Sequence, residues 1–271
     1  MTLPINFHFS QASLADYVDC PRRFQLRYLL EQAWPAVESE PLLERERLAE
    51  QGRRFHKLIQ QHVEGLPEDV LTPPANEPDL ARWWQSYLNS LTTTLSDLPL
   101  DRRAEVALSI PIETYRLTAH FDLIAATPDR AVIVDWKTEQ RLPTREQLLM
   151  RMQTRVYRYV LSVAQQRPPR TVSMIYWFAH AERPNKPITL LYDAAQQADD
   201  HQYLTALIDE IAQRAQQTGE WEMTSQERKC AYCVYRSLCQ RGVQAGTLTT
   251  AEDDLDLVAQ ITFDDIEAIE Y

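Results

Sequence analysis

The chain has 271 residues, 44% of them hydrophobic and 25% charged, with a formal net charge of -11. That is the profile of an ordinary globular protein, long enough for one large domain or two small ones, and no apolar run approaches the ~18 residues of a membrane span. The opening residues MTLPINFHFS lack the basic region and apolar core of a secretion signal, so a cytoplasmic protein without membrane contact is expected.

A charge of -11 argues against a nucleic-acid partner until its distribution is considered. Beyond Arg241 there is no Lys or Arg, while Glu252, Asp253, Asp254, Asp256, Asp264, Asp265, Glu267 and Glu270 supply eight negatives, leaving -3 on the rest. Basic clusters stand at Arg22, Arg23 and Arg27 and at Arg53, Arg54 and Lys57. Local patches decide phosphate binding more than net charge does, although solvated helix faces account for such clusters equally well. With 5 Gly against 16 Pro, many helices and stiff loops are expected.

In chain order, Ser10 is a helix N-cap for a face of Leu14, Tyr17 and Val18. Pro21 opens a second helical run with Phe24, Leu26, Tyr28 and Leu29. Residues 41–64 read as a long helix striped by Leu48, Gly52, Phe55, Ile59 and Val63, with His56 on its edge. A Pro-rich loop (66–78) precedes a helix over 79–95 carrying Trp83 and Trp84. Strands follow: AEVALSIPI, YRLTAHFDLIAA, a TPDR turn and AVIVDW. An amphipathic helix over 144–164 presents Leu149, Met152, Val156, Val160 and Val163. TVSMIYWFA and ITLLY are further strands, and 194–217 is helical. The tail keeps apolar spacing through Leu255, Leu257, Val258, Ile261, Phe263, Ile266 and Ile269, which predicts partly ordered helix. Strands at the centre and helices at both ends predict an α/β sheet flanked by helices.

The strand AVIVDWK ends in Asp135, Trp136 and Lys137. Side chains at i and i+2 share a strand face, so Asp135 and Lys137 point the same way, and burying either charge alone is costly. Asp122 closes the preceding strand, joined by the short turn, so the two carboxylates should converge across antiparallel neighbours. Hard oxygen ligands at a sheet rim suit Mg²⁺ or Mn²⁺. A surface hairpin with one salt bridge satisfies the same residues.

Asp122, thirteen residues, then Asp135-Trp136-Lys137-Thr138 resembles the PD-(D/E)XK nuclease motif in its RecB-like branch. GRRFHKLIQ resembles the helix whose histidine, here His56, is an additional metal ligand. MQTRVYRYVL supplies Gln153 and Tyr157, similar to the Gln-x-x-x-Tyr motif that approaches nucleic acid beside the metal. Ala119 departs from the Gly usual three residues before the first Asp. Glu105 resembles an acidic residue found upstream in this branch. The resemblance implies a restriction-endonuclease-like mixed sheet and catalysis by Asp122, Asp135 and Lys137. It also implies Mg²⁺ or Mn²⁺ held by His56, Asp122, Asp135 and the Trp136 carbonyl.

Cys230, Cys233 and Cys239 are spaced C-x2-C-x5-C, and the only other cysteine is Cys20. Three thiolates on a tight segment need a fourth ligand to complete a tetrahedral or cubane site, and Cys20 is the one left. Zinc is the chemical default. The Cys-Pro pair and the C-x2-C…C triplet resemble the AddB nuclease domain and the RecB-like CRISPR-associated exonucleases, which implies a 4Fe–4S cluster joining the N- and C-terminal segments.

The expectation is a single nuclease domain over 1–242, with a helical insertion at about 41–100, cysteine segments at 10–30 and 221–242, and an acidic tail at 243–271. Its activity would be metal-dependent hydrolysis of DNA, as an exonuclease on single strands or ends, in repair, recombination or CRISPR adaptation. An alternative is a nuclease-like DNA-binding subunit that docks on a helicase or integrase with little activity alone. A third is a four-cysteine zinc scaffold without catalysis.

Overall fold

The computed structural model describes residues 2–4, 6–33, 40–139, 142–180, 187–231 and 233–242, with backbone only over 40–46. The acidic tail and its apolar spacing lie outside these residues.

Six strands form one mixed sheet: β1 (His8–Phe9), β2 (Asp101–Ile112), β3 (Tyr115–Thr127), β4 (Arg130–Lys137), β5 (Val172–Phe178) and β6 (Ile188–Leu191). The long β3 pairs antiparallel with β2 along one side. Its other side pairs with β1, in parallel, at Arg116 and Leu117, and with β4, antiparallel, from Leu123 to Thr127. β5 lies parallel to β4, and β6 closes that side antiparallel. A two-residue β1 carries too little pattern to be read from sequence.

The chain crosses from β4 to its parallel neighbour β5 through α5 (Arg145–Met150) and α6 (Met152–Ala164). These were expected as one helix. They are separate because Arg151 is extended (φ -62, ψ 136), and its buried guanidinium binds both oxygens of buried Glu139 at 3.0 and 3.1 Å. Desolvating a guanidinium is tolerated only with such a partner. Val163, placed on the apolar stripe, is instead exposed.

Each sheet face carries its own core. One face packs Leu14, Tyr17, Phe24, Val156 and Val160 with Ile208 and Ile211 of α7 (Ala194–Ala215). The other packs Phe55 and Ile59 of α3 (Glu40–Val63) and Trp83 and Tyr87 of α4 (Pro78–Leu91) over Val132, Val134 and Trp177. α4 stops at Leu91, four residues short of expectation, in turns that bury Leu95 and Leu98. At the N-terminus, Ser10 and Ser13 form a reciprocal cap on α1 (Gln11–Asp19). Leu14 and Tyr17 are buried as expected, while Val18 faces solvent. α2 (Pro21–Phe24) runs into a π-helical turn over Gln25–Leu29.

The alternation of β3 changes phase at Asp122. Leu117, Ala119 and Phe121 face one core; beyond Asp122, Ile124 and Ala126 take that side, and Leu123 and Ala125 face the other. β2 slips at the rung opposite: Val106, Leu108, Ile110 and Ile112 lie on the first core and Ala104 on the second. Between them Glu105 has φ 50, the left-handed region that a non-glycine residue seldom occupies. The face change thus falls where Glu105 meets Asp122, and where β1 gives way to β4 as the neighbour of β3.

Candidate active site

The ladder between β3 and β4 ends at Leu123 and Val134. One step on, the Trp136 amide donates to Asp122 Oδ2 at 2.8 Å instead of to a strand carbonyl. The splayed strands open a small acidic site at the sheet rim. α3 delivers His56 to it from one face: Nδ1 lies 3.4 Å from Asp122 Oδ1, and Nε2 lies 3.0 Å from the Trp136 carbonyl. Gly52, one turn earlier, eases this approach: a Cβ there would stand 3.1 Å from Thr138 Oγ1 and require that side chain to shift slightly.

From the other face α6 delivers Gln153. Its Nε2 donates to Asp135 Oδ1 at 2.8 Å, and Lys137 Nζ lies 2.7 Å from Asp135 Oδ2. Asp135 and Lys137 therefore do share a face, and both are buried. Tyr157 is also buried, its ring centroid 4.9 Å from that of Phe121. Gln153 and Tyr157 thus have their side chains turned into the protein. Glu105, which the sequence marks only weakly, stands with His56 and Asp122 and is exposed. Donor atoms of His56, Glu105 and Asp122 lie within 4.8 Å of one another, close to the ~4.2 Å that ligands on opposite sides of one ion span at ~2.1 Å each. Asp135 stands beside this group, held by the amine and the amide.

The electrostatics of the site are those of carboxylates crowded around one imidazole and one amine. Burial drives the Asp135 carboxyl up to about 6 against the pull of Lys137, with Asp122 adding to the rise. Burial and then Asp122 push Glu105 up to about 7. Burial works the other way on the ring of His56, but Asp122 outweighs it and holds the imidazole above its usual range. Asp122 is in turn kept low, since His56 and Lys137 overcome the effect of burial.

A sign follows. Glu105 binds its proton more tightly in the folded chain than at its ordinary 4.5. This group's contribution to the cation-free fold therefore weakens as pH rises toward about 7. A cation displaces that proton and reverses the trend. The Mn²⁺-induced rise in melting temperature should accordingly grow between about pH 5.5 and about pH 8. Calorimetry checks it; a rise independent of pH would contradict the ligand set.

The basic clusters do not form an open phosphate surface. Arg23 pairs with Asp16 and Asp19, Arg27 with Asp16, Arg22 with Glu220, and Arg53 and Arg54 with Glu50. Arg23 is spent inside the fold, whereas Arg53, Arg54 and Lys57 lie on an exposed helix face, as the solvated alternative has it.

The four cysteines line one small cavity, together with Arg23, Lys229 and Arg236. Burial pushes the Cys233 thiol up to about 11, with Cys230 and Cys20 acting in the same direction. Burial likewise raises Cys230 and Cys239, each with Cys20 next among the causes. The Thr224 amide lies 3.4 Å from Cys20 Sγ. The C-terminal segment also docks without the thiols. Trp221 stacks on Phe24 at 5.8 Å, its amide donates to Gln25 Oε1 at 2.9 Å, and the Arg22 amide donates to the Glu222 carbonyl at 3.1 Å.

The family model for the PD-(D/E)XK nuclease superfamily matches residues 8–240. The chain belongs to that superfamily. Among curated proteins none matches. Two solved structures are similar in fold. One is SSO0001, 13% identical, with a TM-score of 0.41 over 86% of this chain and 85% of that one. The other is a Eubacterium rectale protein named as a candidate exonuclease, 11% identical, with a TM-score of 0.48 over 81% and 85%.

Proposed function

We propose that the protein is a divalent-metal-dependent nuclease that hydrolyses DNA phosphodiester bonds, acting as an exonuclease on single strands or ends. The observation that carries this reading is the meeting of His56, Glu105 and Asp122 within 4.8 Å beside the Asp135–Lys137 pair.

His56, Glu105 and Asp122 fit a Mg²⁺ or Mn²⁺ ion as an imidazole and two carboxylates, with Asp135 and the Trp136 carbonyl completing the set. Such an ion, when bound, polarises a phosphate oxygen and acidifies water. Lys137 supplies the remaining positive charge. Its ammonium, fixed 2.7 Å from Asp135, orients the attacking water and stabilises the charge that builds on the phosphate. Gln153 fixes the rotamer of Asp135 from behind, and Tyr157 supports the same helix through its packing on Phe121.

The second part of the proposal concerns the cysteines. Cys20, Cys230, Cys233 and Cys239 fit a four-thiolate centre, lining one cavity with Arg23, Lys229 and Arg236. A 4Fe–4S cluster with a structural role is the reading preferred over zinc, on the order of the cysteines and the Cys-Pro pair.

The test is incubation of anaerobically purified protein with end-labelled single- and double-stranded DNA, with and without Mn²⁺. Metal-dependent release of nucleotides from ends is expected; no cleavage of either substrate with any divalent ion would overturn the reading. Iron and sulfide in the same preparation, with visible absorbance, support the cluster, and a colourless protein containing zinc rejects it.

A further inference from the structure

We propose that Tyr176 is the positioning residue that sets the catalytic amine and the Gln153 amide on Asp135. This deepens the nuclease reading and rests on it. Tyr176 is fully buried on β5 and is the cross-strand partner of Asp135. It touches both groups that hold that carboxylate. Lys137 Nζ stands 5.8 Å from the centre of its ring, and the Arg151 guanidinium stands 5.9 Å from it. A buried ring beneath an ammonium attracts it without accepting its protons, so all of the donors of Lys137 stay available to Asp135 and to substrate.

The hydroxyl reaches the other partner. It lies 2.7 Å from Thr154 Oγ1 and 3.5 Å from Gln153 Oε1. Thr154 in turn donates to the Leu148 carbonyl at 2.6 Å, so the one hydroxyl hydrogen of Tyr176 goes to Thr154 Oγ1, and the Gln153 carbonyl lies at the outer limit of hydrogen-bond range. That bond ties the first turn of α6, which carries Gln153, to the sheet directly behind Asp135, across the break at Arg151. With the hydroxyl gone, this turn is released and the Gln153 amide loses its register on the carboxylate.

Tyr176→Phe keeps the ring and its packing and removes only the hydroxyl. We expect kcat to fall about tenfold, as misplacement of a group by a fraction of an ångström does. KM for DNA should stay near wild type, and the melting temperature should fall by no more than a few degrees, the cost of one buried hydrogen bond. In a Gln153→Ala background the same substitution should have no further effect on kcat, because the group it positions is gone. Tyr176→Leu, which also removes the ring, should cost more, and that extra loss should persist in the Gln153→Ala background, because it acts through Lys137. An additive loss from Tyr176→Phe in both backgrounds, or wild-type kcat in that variant, would overturn the proposal. If Tyr176→Leu does not fold, the Tyr176→Phe comparison decides alone. Absence of cleavage in the wild-type protein would overturn the nuclease reading instead, so the two failures are told apart.

Discussion

Asp135→Asn should abolish metal-dependent DNA cleavage, with a loss of at least about 10³-fold, the scale of removing one preorganised charge from an active site. The substitution keeps the shape of the side chain and its contact with Gln153, and removes the charge. Asp135 is buried with its two oxygens engaged separately, Oδ1 by Gln153 at 2.8 Å and Oδ2 by Lys137 at 2.7 Å. Asparagine can still occupy this slot, so the fold should hold. Lys137→Met should cost as much in cleavage for the complementary reason, since it removes the amine while its long apolar chain fills the same space. Both Asp135→Asn and Asp135→Ala leave the buried Lys137 ammonium without its counter-charge; Asp135→Ala also removes the side chain that fills the slot, so it mixes stability with chemistry further. Circular dichroism and thermal melting beside the cleavage assay separate the two effects. Undiminished cleavage by both purified variants would remove Asp135 and Lys137 from the reaction.

The second large effect is expected from Cys20→Ser. Cys20 and Cys230 are more than two hundred residues apart. Joining such distant points restricts the unfolded chain by about 5 kcal/mol in the loop-entropy account. The actual loss should be smaller, because Trp221, Gln25 and the Arg22 amide already close the same loop. Loosening should therefore be local. The segment from Thr224 to Arg241 has few buried apolar side chains and depends on contacts such as Lys229 with Asp19 at 2.6 Å, whereas Trp221 belongs to the main core. In Cys20→Ser, hydrogen exchange should speed up across 224–241 and stay slow at Trp221 and in β3 to β5. Global unfolding of the variant, or unchanged exchange in 224–241, would contradict a structural centre at these four thiols.

The site was legible in the sequence wherever it depended on strand period and residue type. Asp135 and Lys137 share a face because they are two apart, and His56 reaches the rim because it lies on the edge of a helix stripe. The features that escaped depend on partners distant in sequence. No Pro or Gly marks the break at Arg151; it follows from Glu139, twelve residues upstream and buried against it. Glu105 gives no local sign of a positive φ, which glycine would have announced; its conformation comes from a face change shared with Asp122 on the next strand. Tyr176 reads as an ordinary member of an apolar run, and only the pairing of β4 with β5 brings it beside Asp135. The partners of the basic clusters were legible in part: Glu50 lies three and four residues before Arg53 and Arg54, whereas Asp16 and Glu220 meet Arg27 and Arg22 only once the chain is folded.

The most direct measurement is an anomalous difference map from crystals soaked in Mn²⁺. A peak about 2.0–2.3 Å from His56 and from the carboxylates of Glu105 and Asp122, and absent from an Asp122→Asn crystal, is the predicted result. A map with no peak among these side chains, or with its manganese bound elsewhere, would contradict the account at its centre.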